Sequence, residues 1–187
     1  FEAKGRVKAE DVEVGGSMLV RSEVDIDTLE AGGSAVVNGG RIHEVDVGGS
    51  FESRNSLEFD TIDVGGTVKL AGQSKGRRIE VGGMIEVEGD LRFEDIEIGG
   101  KVEISGSGEG VDMEVGGKVK VGGSLSLSGT LEVGGEIEVG KETSARDIEV
   151  GGTLSSRKAT AENHMEVGGS IETVEGASAH SIELGRR

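Results

Sequence analysis

Apolar and polar residues alternate along this chain in short runs, and the runs return with a fixed beat. The stretch from Gly82 to Ile98, GGMIEVEGDLRFEDIEI, holds three of them. Ile85 and Val87 follow the glycine pair, Leu91 and Phe93 stand mid-way, and Ile96 and Ile98 close the unit. A period of two is that of a β-strand with one covered face. No stretch shows the helical period with a cap, and a unit this short has no room for a strand, a crossover helix and their loops.

Glycine pairs begin at Gly15, Gly32, Gly48, Gly65, Gly82, Gly99, Gly116, Gly134, Gly151 and Gly168, with Gly185 keeping the beat at steps of 16 to 18 residues. A period this regular defines one structural unit copied along the chain. Just before the pairs stand Val14, Ala31, Val47, Val64, Val81 and Ile98, and two residues earlier Val12, Leu29, Val45, Ile62, Ile79 and Ile96, with like residues in the later units. Two places after the pairs come Met18, Ala35, Phe51, Val68 and Ile85. Three short strands per unit, joined by tight corners, predict one triangular coil of a single-stranded parallel β-helix. The whole chain, 1–187, then forms one domain of about eleven coils of ~17 residues, a rod roughly 50 Å long at ~4.8 Å per coil. The corners are expected to need glycine for its backbone freedom. Absence of proline fits strands that all donate to a neighbour.

In the middle strand, bulky pairs such as Leu57/Phe59 and Leu91/Phe93 stand one unit from hollow ones such as Ser74/Gly76 and Gly108/Gly110. A large rung against a small one fills a narrow interior without overpacking. Beyond Leu127 the column is expected to continue through Thr160 and Ala177, with a looser interior.

Charge narrows the list of partners. With 20 basic and 36 acidic residues the net charge is −16, which opposes nucleic acid and anionic lipid. Neither Trp nor Tyr is present to serve as a stacking platform or hot spot. No apolar run approaches the ~20 residues of a membrane span. The lack of cysteine fits a reducing compartment and a disulfide-free exterior alike, and no signal pattern is visible; the cytoplasm is the expected location, with the cell surface as the alternative. A chain opening on Phe1 rather than Met reads as part of something longer.

One column is acidic in every unit: Glu13, Glu30, Asp46, Asp63, Glu80, Glu97, Glu114, Glu132, Glu149, Glu166 and Glu183. Each lies between two inward residues and so points outward. Stacked ~4.8 Å apart in water, neighbours repel by about 0.9 kcal/mol before screening. One reading is a multivalent strip for divalent cations or a basic protein. The other is a solvated face that resists aggregation. Flanking bases Arg77, Arg78 and Arg146 would relieve it in places.

Catalytic and cofactor chemistry finds little footing. His43, His164 and His180 lie in outward segments; His164 and His180 are one coil apart, but no further ligand completes a metal site. No serine stands in a nucleophile elbow, and Gly100-Lys101 and Gly117-Lys118 are followed by valine where a phosphate loop needs Ser or Thr and a helix. A non-enzymatic protein without cofactor is expected.

The units IDVGGTV (Ile62 to Val68), IEVGGTL (Ile148 to Leu154) and MEVGGSI (Met165 to Ile171) resemble those of the bactofilins, a family of polymer-forming cytoskeletal proteins. The resemblance covers almost the whole chain. It implies a right-handed parallel β-helix that polymerises end to end without nucleotide and serves as a scaffold. Neither terminal unit carries a cap, so the self-association interface is expected at Val7, Val12 and Val14 in the first coil and Ile171, Ile182 and Leu184 in the last. An extracellular adhesin-like module that binds cations or a basic partner through the acidic strip is the alternative.

Overall fold

The structure, a computed structural model, describes residues 1–185, so the last two positions of the expected domain lie outside it. Among the described residues there is no helix, and strands follow one another from Glu2–Ala3 to Ser181–Leu184. Each strand pairs in parallel with its counterparts one repeat away. Ile79 lies between Ile62 and Ile96, and Val102 between Ile85 and Val119. The fold is a β-solenoid of about eleven coils, as the repeat implies.

One coil has the three expected strands, Met84–Glu88, Leu91–Arg92 and Asp95–Ile98. In others the second and third strands join, as in Val24–Ala31 and Leu57–Val64. Glu136–Val150 and Thr153–Val167 run through two corners without a break. The Gly-Gly corner, by contrast, interrupts the strand wherever a pair occurs.

Backbone freedom is not what makes these pairs glycine. Positive φ occurs at Gly39, Gly40, Gly72, Gly89 and Gly176, and at none of the paired corners. Instead, a Cβ on Gly65 would lie 2.6 Å from the Gly48 carbonyl oxygen, and one on Gly100 only 2.3 Å from that of Gly83. Corner stacks on corner, backbone against backbone, and no side chain fits between. Left-handed φ is confined to the first corner of individual coils, whether that corner is short or full-length. Between Val37 and Gly40 only Asn38 and Gly39 make the turn, with φ of 93° at Gly39 and 119° at Gly40. That missing residue accounts for the 16-residue step.

The interior is one continuous column of Ile, Val and Leu from Met18 to Val167. Bulky and hollow rungs interlock as expected: a Cβ on Gly76 would fall 2.0 Å from the Phe59 ring, and one on Gly110 2.3 Å from that of Phe93. Thr160 does not continue this column. Ala159 pairs with Thr143 and Ala177, while Thr160 pairs with Ser144 and Ser178 on the outer surface. The corner Arg157-Lys158 is one residue shorter than its neighbour, and a shift of one residue exchanges inside for outside. The interior there narrows to Thr143, Ala145, Ser156, Ala159 and Ala161, all buried. Thr143 Oγ1 and Ser156 Oγ find no hydrogen-bond partner among the described residues.

Candidate functional site

Two surfaces stand out once the coils are stacked: the open ends and one long face. At the first end Val7, Val12 and Val14 are half-buried against the core. Ile171 is likewise half-buried at the other end, while Ile182 and Leu184 are 43% and 56% exposed. Phe1 and Val174, which sequence reasoning did not single out, are 62% and 86% exposed. Phe1 stands in the inward column headed by Met18, since Glu2 pairs with Leu19. The only other large apolar side chain exposed among the described residues is Val111.

The acidic column is a true ladder. Glu13 pairs with Glu30, Glu30 with Asp46, Asp46 with Asp63 and Asp63 with Glu80. Glu80 to Glu183 continue without a register slip between carboxylates. Relief is local. Arg78 reaches Glu80 and, at 3.9 Å, Glu97, and His164 lies 3.8 Å from Glu166. Arg77 pairs instead with Glu94, outside the ladder.

Beside the ladder runs a second outward column on the same face. It adds Asp11, Glu44, Asp95, Asp112 and Asp147, with Arg78 its single Lys or Arg. The two columns together hold 16 acidic side chains and one basic, against 20 acidic and 19 basic in the rest of the chain. Nearly all the net charge therefore belongs to one face.

The other faces are compensated. Down the middle strand Lys8, Asp25, Arg41, Glu58 and Lys75 alternate in sign in register. Lys8 meets Asp25 at 3.2 Å, Arg41 meets Glu58 at 2.9 Å and Lys75 meets Glu58 at 3.1 Å. Hydrogen bonds from Arg41 and Lys75 hold the Glu58 carboxyl below its ordinary range, and Glu58 in turn raises Arg41. Further along, the column becomes hydroxylic, with Ser126 and Ser144 3.3 Å apart. On the first face Lys69–Glu86 and Lys120–Glu138 bridge successive coils at 2.8 and 3.2 Å. This alternation was legible in principle, as residues of opposite sign one repeat apart.

No metal centre emerges. Among the described residues no three His, Asp or Glu side chains converge on a point that could hold an ion. The two C-terminal histidines do not face each other. His164 pairs with Ser181 in the column beside the ladder and contacts its Oγ at 2.7 Å through Nδ1. His43 lies between Asp60, at 2.7 Å, and Asp27, at 3.8 Å. No helix in the described residues is long and apolar enough to cross a membrane. Compared with protein-family models, with curated proteins and with solved structures, the chain matches none.

Proposed function

We propose that this chain is a non-enzymatic structural protein whose copies assemble end to end into filaments that act as a scaffold. One observation carries the reading. Of the five large apolar side chains exposed among the described residues, four (Phe1, Val174, Ile182 and Leu184) belong to the two terminal coils. Among the described residues those coils also present strand edges with no partner on their outer side, the template on which β-structure associates. The resemblance of the repeat units to bactofilins supports the same reading.

Negative-stain electron microscopy at two concentrations tests it. The unmodified chain should form filaments at the higher concentration, and Leu184→Lys, which places a charge on the outer rung, should abolish them. Single rods at every concentration would refute end-to-end assembly. A second reading is favoured by the charge partition: the acidic face binds a basic partner along its length. Salt-sensitive binding of polylysine by single rods that never polymerise would support that reading instead.

A further inference from the structure

We propose that Asn38 is a self-modifying site: the backbone nitrogen of Gly39 displaces its side-chain amide, and the corner ends with a carboxylate set between Arg21 and Arg54.

Of the three asparagines, Asn38, Asn55 and Asn163, only Asn38 is followed by glycine. It opens the two-residue corner of the third coil, where Gly39 and Gly40 carry the left-handed φ and Asn38 does not. Tolerance of that conformation, a common reason for asparagine in a turn, therefore does not account for it. Nor does its side chain close the corner. Its Oδ1 accepts from Asn55 Nδ2, one coil on, at 3.1 Å. That bond draws electron density from the Asn38 amide carbon, while the amide nitrogen donates to no group among the described residues. The backbone on either side is fixed. The Val24 amide donates to the Gly39 carbonyl at 3.0 Å, and the Gly40 amide to the Ser56 carbonyl at 3.2 Å. Between those bonds the Gly39 amide has no acceptor among the described residues, and no side chain on Gly39 shields it. Asn38 is only half-buried, within reach of solvent.

The chemistry needs water alone. The Gly39 nitrogen gives its proton to hydroxide and bonds to Cγ of Asn38. The bond from Cγ to the side-chain nitrogen breaks, and ammonia leaves with a proton from water. Water then opens the cyclic imide at one of its two carbonyls. Cleavage between Cγ and the Gly39 nitrogen restores the main chain and leaves aspartate, and cleavage on the other side leaves isoaspartate. One water enters, one ammonia departs, and nothing is oxidised.

The product suits the corner better than the amide. A carboxylate only accepts, which is all that position 38 is asked to do, and the bond from Asn55 becomes charge-assisted. Leu19 pairs with Val36 and Val37 with Ser53, so the register sets Asn38 between Arg21 and Arg54. Those arginines now meet Glu2 at 3.0 Å and Glu52 at 2.9 Å, and a carboxylate at position 38 would share them.

The chain is aged in mildly alkaline buffer, folded and in urea, and followed by ammonia release and by peptide mapping that separates aspartate from isoaspartate. The expected result is loss of one amide per folded chain, at Asn38, while Asn55 and Asn163 keep theirs. Asn38→Gln, whose longer side chain cannot close the five-membered ring, should release no ammonia. An Asn38 that reacts only in urea, or no faster than Asn55, would overturn the proposal. Asn38→Asp should melt at the temperature of the parent chain or up to about 4 °C above it, with any gain removed by screening salt. A lower melting temperature would show that the corner rejects the carboxylate, and the assignment of Arg21 and Arg54 would fall.

Discussion

Gly100→Ala tests the steric origin of the glycine repeat. The new Cβ would lie 2.3 Å from the Gly83 carbonyl oxygen, about 1 Å inside ordinary contact. That oxygen also accepts a 3.1 Å hydrogen bond from the Lys101 amide, so moving it away stretches the bond that closes the corner. Overpacking against backbone costs about 1–3 kcal/mol. A weakened hydrogen bond adds about 0.5–1.5 kcal/mol. The reduced freedom of alanine in the unfolded chain offsets about 0.4–1 kcal/mol. The net loss is roughly 0.5–4 kcal/mol, which in a chain of this size lowers the melting temperature by about 1–16 °C. Thermal melts followed by circular dichroism, at concentrations too low for assembly, measure it. Gly15→Ala is the control, with nothing within 4 Å and no loss expected. Equal losses at both positions would refute the argument, because they would mean that the corner needs glycine's flexibility and not its missing Cβ. No loss at Gly100 would mean that stacked corners part freely.

Two further substitutions probe the ladder and the narrow end of the core. Glu114→Gln removes repulsion from both Glu97 and Glu132, about 0.9 kcal/mol each in water and roughly half that at 0.1 M salt. It should raise the melting temperature by about 2–4 °C, with most of the gain lost in 1 M salt; a fall would show the carboxylate to be stabilising. Thr143→Val replaces a buried hydroxyl without a partner by a methyl of similar shape. A gain of about 1 kcal/mol in urea denaturation is expected, and a loss would show that the hydroxyl is satisfied in solution.

Most of the fold was legible because the glycine pairs fix the register and register fixes everything stacked on it. Ile62, Ile79 and Ile96 could be aligned by eye, and Phe59 against Gly76 likewise. Thr160 was misplaced for a physical reason. The two-residue corner Arg157-Lys158 is compensated by the three residues Glu162, Asn163 and His164, so the overall step stays at 17 while the strand between them slips by one. Length alone cannot reveal two errors that cancel. The reason for glycine was hidden for another cause. Sequence states that a side chain is refused, and only the Cβ-to-carbonyl distances tell steric refusal from a left-handed backbone. The acidic ladder was visible because it borders the most regular apolar columns. Compensation on the other faces emerged only when Lys8, Asp25, Arg41 and Glu58 were found in one column.

Charge placement bears directly on assembly. In an end-to-end filament, a join that continued the ladder would set Glu183 beneath Glu13, adding about 0.9 kcal/mol of unscreened repulsion, the same as each internal step. Against this, Ile182, Leu184 and Phe1 would each move from an exposed rung into a covered one. Full burial of such side chains stabilises by roughly 1.5–3 kcal/mol each, so even partial covering outweighs one ladder step. Sideways contact through the acidic face has no such compensation. There carboxylates would meet carboxylates along the whole length, whereas the rest of the chain carries acids and bases in nearly equal number. The same column that weakens each coil slightly thus opposes lateral pairing through its face many times over. Lateral contact between rods is therefore steered away from the acidic face, and any partner that lies flat on that face must bring positive charge.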